Sequence, residues 1–435
     1  MIEGSKLIRR WTLAAVILTF CVFGPLGECR ARSADHVLVK YVGRIAVGGP
    51  PGWLTLQDVD DRGRVLVIDN NVLASAKRGP GVLTAQPILL IWNLSRHVFS
   101  YRLPLDLTVP LRTSLAKERP WSFQVEPRQF RFLLQDEVVG TLGCYVVRLD
   151  LAHRKARWIL PSPNACEPHP PYLARRDVTG PPAVLSVNRQ RDEFAVGVNV
   201  GPWPRLFVFG RDADKPIASW RLSRPVTSLA WSPDGARLAV LYNSRFDAHL
   251  KYFWKIGYWR LPNLVVFDVP SGKQEFAVFT GEAESHVEFS KDGSLLYVIA
   301  QHLFWGLFGE EGKGIKVFSA FDGKKVRNFK GGRHGVRTNF ALSPDGKLIV
   351  ADASTQPFSW EGGATIEKIG RFVILDSASG RVLFSQPGRR MDGSAGSLPF
   401  EFVFTPDGRT LLADPNSKWG IPGSDAIDIY SVITR

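Results

Sequence analysis

Sulfur is scarce in this chain: 435 residues hold four cysteines and two methionines. Cys21 and Cys29 fall near the N-terminus, and Cys144 and Cys166 stand alone, without the spacing of a zinc site. The eight histidines form no HxH, no HExxH and no i, i+4 pair, which excludes the common helical metal centres. There is no GxSxG and no GxxxxGK[ST], so the usual nucleophile elbow and phosphate loop are absent too. Catalysis by single residues scattered along the chain stays open. Lysine and arginine outnumber the acids, yet they form no dense block, and no nucleic-acid partner is expected.

Long apolar runs are also missing at the N-terminus. Lys6, Arg9 and Arg10 precede an apolar run over residues 11–24, well short of the roughly 20 residues a spanning helix needs. The sequence GECRARSADH follows. This pattern reads as a cleavable secretory signal over residues 1–31, cut after Ala31 with Cys29 at position −3. A cut after Ser33 and a retained signal anchor are the alternatives. Export places the mature protein in the periplasm or outside the cell. There Cys144 and Cys166 are expected to pair as a disulfide, against the plainer reading of two unrelated buried thiols. The formal charge is +14; residues 1–31 carry four basic and two acidic side chains, so the mature chain keeps +12. Such a charge favours peripheral contact with an anionic membrane or envelope surface, or is simply a solvated positive surface.

What the sequence does have is a repeated four-strand pattern. In VTSLAWSPDGARLAVLYNSRF and NLVVFDVPSGKQEFAVFTG, four apolar runs are joined in pairs at Pro233-Asp234-Gly235 and Pro270-Ser271-Gly272. Proline presets φ and glycine accepts positive φ, so both sites read as hairpin turns. Six further units follow the pattern: residues 52–105, 121–161, 183–222, 285–331, 336–388 and 400–435. The second is degenerate and is divided as WSFQVEPRQ, FRFLLQDE, CYVVRLDLAHR and KARWILP. The Asp-Gly turns at Asp234, Asp292, Asp345 and Asp407 are spaced by 58, 53 and 62 residues. A compact unit needs roughly 40–45, so each is expected to carry an insertion of about 10–20 residues.

The last unit ends one strand short, and residues 36–47, HVLVKYVGRIAV, form an orphan strand. The expected fold is therefore all-β, a seven-bladed β-propeller over residues 37–435, closed by pairing the N-terminal strand with the C-terminal blade. A closed ring of this kind is expected to act as a monomer. TSLAWSPDGARLAV with LVVFDVPSGK resembles the WD40-type and WD40-like bacterial β-propeller repeat, a resemblance that implies the fold and not a ligand. Phe267-Asp268, Leu375-Asp376, Leu149-Asp150 and Trp92-Asn93 take the place of its Trp-Asp dipeptide, and its Gly-His signature is not repeated.

Two candidate sites emerge. The connections between second and third strands hold Tyr252, Trp254 and Trp259 among Lys251, Lys255 and Arg260, then Trp305, then Trp360. Aromatics beside cations on long loops suit a protein, peptide or glycan partner, and equally suit packing of the loops onto their own blades. Asp69, Asp352 and Asp414 stand six residues after the turn glycine in three blades that a closed ring makes adjacent. They are candidate ligands for a divalent cation at a channel mouth, or strand-ending residues bonded to local amides. No other cofactor is expected. The favoured reading is a binding or scaffolding protein and not an enzyme; the alternative is a hydrolase or oxidoreductase with a cation-assisted site. His286 is expected to be hydrogen-bonded inside the fold.

Overall fold

Apolar runs of four to eight residues cannot bury both faces as isolated hairpins, and here they assemble into stacked sheets. The structure is a computed structural model. It describes residues 37–46, 54–69, 88–104, 127–134, 136–142, 145–160, 183–199, 204–211, 215–242, 262–280, 284–300, 314–330, 336, 339–353, 369–370, 372–386, 389–390, 401–414 and 426–434. Leu38–Ile433 form one compact unit; of the other, residues 1–37 and 434–435, only Val37 and Thr434 are described, both in strands. Among the described residues there are strands and turns and no helix.

Seven antiparallel sheets of four strands make the unit. Blades 1 to 6 take residues 54–104, 127–160, 183–221, 226–278, 284–329 and 340–385 in chain order. Blade 7 combines Glu401–Phe404, Thr410–Asp414 and Ala426–Thr434 with Val37–Ala46 as its outer strand. Each blade's first strand packs on the first strands of both neighbours, and the cycle closes between Glu401–Phe404 and Leu54–Val59. The first strands therefore surround the axis of a seven-bladed propeller. Within blade 7, Arg44 Nε donates to Asp428 Oδ1 at 2.8 Å, and Tyr41 meets Tyr430 edge-on at 5.7 Å. The closure expected from the orphan strand is present.

Second and third strands are sandwiched between neighbouring blades, which explains why they read as continuous apolar runs. Arg237–Tyr242 is buried from Leu238 onward, and Leu264–Asp268 through Phe267. Each such side chain withdrawn from water is worth about 1.5–3 kcal/mol. The core accordingly lies between blades: Leu66, Ile68 and Leu89 of blade 1 pack with Phe130, Phe132 and Val147 of blade 2.

Blade 2 departs from the division expected of it. Its first strand is Pro127–Leu134 and its second is Glu137–Leu142, so FRFLLQDE is not a second strand. The turn there has Asp136 but no glycine, and the usual boundary mark is missing. Gly140 marks the strand instead: a Cβ at that position would lie 2.3 Å from the Phe130 ring. The expected insertion between second and third strands is also absent in blade 2, where only residues 143–144 intervene. One two-stranded ribbon, Ile369–Gly370 with Arg389–Arg390, had no sequence signal.

Candidate binding surfaces

The first-to-second turns, and in blades 1 to 6 the third-to-fourth connections, lie at one end of each blade, and second-to-third connections leave from the other, as antiparallel order requires. At the turn end, blades 4 to 7 share a self-contained hydrogen-bond unit. Ser232 donates to Asp234, Ser290 to Asp292, Ser343 to Asp345 and Thr405 to Asp407. Each Asp Oδ1 also accepts the amide two residues on, and each hydroxyl accepts the amide five residues on. The glycines complete the turns at φ 67 to 76°. These Asp-Gly pairs build turns.

Around the axis the polar groups act between blades. Gln57 Oε1 accepts from Phe130 N at 2.8 Å, Gln129 Oε1 from Leu185 N at 2.6 Å, and Asn199 Oδ1 from Val226 N at 2.7 Å. Ser228 Oγ accepts from Val287 N at 3.2 Å, Glu288 Oε2 from Leu342 N at 3.0 Å, and Asp414 Oδ2 from Leu56 N at 2.9 Å. Each acceptor reaches forward to a first-strand amide of the next blade, which would otherwise be an unpaired edge donor. Gln57, Gln129, Ser228 and Glu288 are polar residues in first strands, whereas Asn199 and Asp414 stand at or just past the ends of second strands, so no single sequence pattern marks this ring. A longer link joins non-adjacent blades. Arg189 of blade 3 pairs with Asp58 of blade 1 and donates to Val59 O at 3.2 Å, while Asp58 Oδ2 accepts Phe132 N of blade 2 at 2.8 Å. The Asp58 charge raises the Arg189 pKa.

Asp69, Asp352 and Asp414 end the second strands of blades 1, 6 and 7 and are all buried. Among the described residues, no group of three or more His, Cys, Asp or Glu is placed to hold a metal ion. Asp414 caps the Leu56 amide, so its carboxylate helps to close the ring. His286 Nε2 lies 2.9 Å from Glu288 Oε1, and its ring meets Phe340 edge-on at 5.0 Å. The imidazole is thus hydrogen-bonded within the fold, as expected.

Tyr252, Trp254, Trp259, Trp305 and Trp360 lie outside the described residues, as do Cys144 and Cys166. The stem beneath the first three is described. Tyr242 N donates to Asn263 O at 2.8 Å, so the two ends of the 243–262 connection are held side by side. Asn263 Oδ1 in turn accepts the Thr280 amide at 2.8 Å and its hydroxyl at 3.1 Å. The Arg224 guanidinium lies 5.2 Å from the Tyr242 ring centroid and bonds Pro262 O. Burial pushes the Tyr242 hydroxyl up to about 12, keeping it neutral. No helix among the described residues is long and apolar enough to cross a membrane.

A ring of seven four-stranded blades closed by its termini is a seven-bladed β-propeller. No family model and no curated protein matches the chain. Among solved structures, the β-propeller domain of Myceliophteria thermophila Cps50 (Swd1) is similar at 11% identity, over 91% of this chain and 100% of that one, with a TM-score of 0.53. A chain of a mitotic checkpoint complex is similar at 15% identity, over 94% and 96% of the two chains, with a TM-score of 0.56. Hydrazine synthase of Kuenenia stuttgartiensis is 21% identical with a TM-score of 0.37, and the match spans 51% of each chain. The first two likenesses establish the fold alone.

Proposed function

We propose that this chain is an exported, non-enzymatic propeller that binds or scaffolds a protein, peptide or glycan partner through the blade ends carrying the second-to-third connections. Tyr252, Trp254, Trp259, Trp305 and Trp360 supply the contact area on this reading. The observation that carries it is the pinned stem of the 243–262 connection, because a long insert held at a rigid base is the usual setting for recognition residues. A similar propeller occurs in a checkpoint complex, which agrees with a scaffolding role. Replacing Trp254 and Trp259 by Ala tests the reading. The expected result is loss of the partners that co-purify with the native protein at unchanged melting temperature; a large fall in melting temperature would instead mean that the aromatics pack on their own blade.

Export is the second part of the proposal. The intact mass of the mature protein is expected to correspond to a chain starting at Arg32, and denatured, unreduced protein is expected to show no free thiol because Cys144 pairs with Cys166. A retained leader or two titratable thiols would remove this part.

A further inference from the structure

The outer turns of blades 1 and 2 differ from those of blades 4 to 6. Where Gly272, Gly323 and Gly380 close the third-to-fourth turn at φ 68 to 71°, blades 1 and 2 have His97 and Arg154 at φ 53 and 54°. Left-handed backbone disfavours any residue with a Cβ, so basic side chains hold positions that glycine would hold without strain. Their neighbours are basic as well: Arg96 and Arg102 in blade 1, Lys155 and Arg157 in blade 2, all exposed. Arg154 lies 5.7 Å from the Tyr101 ring centroid, which joins the turn of blade 2 to the outer strand of blade 1.

On the two outer hairpins counter-charge is sparse, although exposed Asp61 lies on the first-to-second turn of blade 1. Asp150 is the one carboxylate on the two outer hairpins, and it holds His153 through the ring at 2.7 Å and the amide at 2.9 Å. Nearby Asp136 and Glu137 are paired with Arg64 and Arg148. Among the described residues no carboxylate pairs with Arg96, Arg102, Arg154 or Lys155. Val98, 48% exposed, follows Arg96 and His97 directly.

We propose that this strip docks on a bilayer containing anionic phospholipid. Its cations are spread over two turns and two outer strands, which suits a plane of phosphates better than a single anionic group. An exposed valine beside them can enter the head-group boundary. The formal charge of +14, or +12 without residues 1–31, attracts the protein to such a surface from a distance. Second-to-third connections leave the opposite ends of the blades, so a protein docked by its turns keeps that end towards solvent.

Co-sedimentation of the mature protein with vesicles tests this, comparing phosphatidylcholine alone with phosphatidylcholine mixed with phosphatidylglycerol. Binding is expected only with phosphatidylglycerol. Each cation at an anionic leaflet is worth about fivefold, so Arg96→Gln, Arg102→Gln, Arg154→Gly and Lys155→Gln together should lose more than about a hundredfold. The control removes the same charge from exposed positions elsewhere, Lys273→Gln, Lys291→Gln, Lys325→Gln and Arg381→Gln, and should lose far less. Arg154→Gly relieves the left-handed strain, so melting is expected to hold; should the quadruple variant unfold, the single Arg154→Gly and Arg96→Gln changes carry the test at about fivefold each. Equal loss in both quadruple variants would overturn the proposal in favour of net charge. Absence of phosphatidylglycerol-dependent binding overturns it as well, and retention on polyglutamate without vesicle binding would assign the strip to a soluble polyanion.

Discussion

Asp414 shows how a single side chain can be read two ways. Its position in the sequence, matching Asp69 and Asp352, suits a cation site; its contact, Oδ2 to the Leu56 amide, suits a fastening between the last blade and the first. The carboxylate is fully buried. Removing it leaves a buried amide unpaired, a loss of about 1–3 kcal/mol, whereas Asn keeps an acceptor at the same place. Urea unfolding is expected to rank the native protein above Asp414→Asn, and Asp414→Asn above Asp414→Ala. A calcium-dependent rise in stability that vanishes in Asp414→Ala would give the carboxylate the metal role instead.

At the scale of the element, the Ser/Thr-x-Asp-Gly turn explains why the pattern was so legible. Its hydroxyl, carboxylate and glycine satisfy one another within six residues, so the sequence alone displays the whole unit. The hydroxyls of Ser232, Ser290 and Thr405, with the amides two residues beyond each Asp, hold the carboxyls of Asp234, Asp292 and Asp407 below the ordinary range. A lowered folded pKa stabilises the protein above the unfolded value, near 3.8, and that contribution disappears as pH falls through the folded values. Melting temperature is therefore expected to drop between pH 5 and pH 3, and to drop less in Asp234→Asn/Asp292→Asn/Asp407→Asn, which starts lower at pH 5; equal slopes would remove the linkage. Blade 2 departs from its expected division for the complementary reason. Its turn lacks glycine, and the determinant of its second strand is Phe130 filling the space beside Gly140, a contact between strands that no local pattern shows. The amide fastenings were invisible for the same cause: Gln57 and Phe130 meet across 73 residues of chain. Of the candidate site, the sequence named the aromatic insert, but the pinning of its stem by Arg224 and Asn263 depends on residues at or beside the ends of four strands.

For the whole molecule, stability depends on every blade having two neighbours, because the apolar clusters lie between blades. Ile45 of the N-terminal strand is fully buried with Leu54, Leu56 and Val65 of blade 1 and Leu412 and Ile427 of blade 7. That strand thus serves both the last blade and its junction with the first. Removing residues 1–46 deletes Ile45, the Arg44–Asp428 pair and the Tyr41–Tyr430 contact together, and bares the edge of Ala426–Thr434. Bared edges invite association between chains. The truncated protein is expected to melt in a broad transition at lower temperature and to self-associate on gel filtration. Ile45→Ala, costing about 2–5 kcal/mol, should melt lower but in a sharp transition and with the elution volume of the native protein. Adding the ten-residue peptide VLVKYVGRIA to the truncated protein should restore part of the lost melting temperature, since the edge it pairs with is still present. A truncated chain that melts as sharply and as high as the native one would mean that blades 1 to 7 hold together without closure, and the fastening at Asp414 would then have to carry the ring by itself.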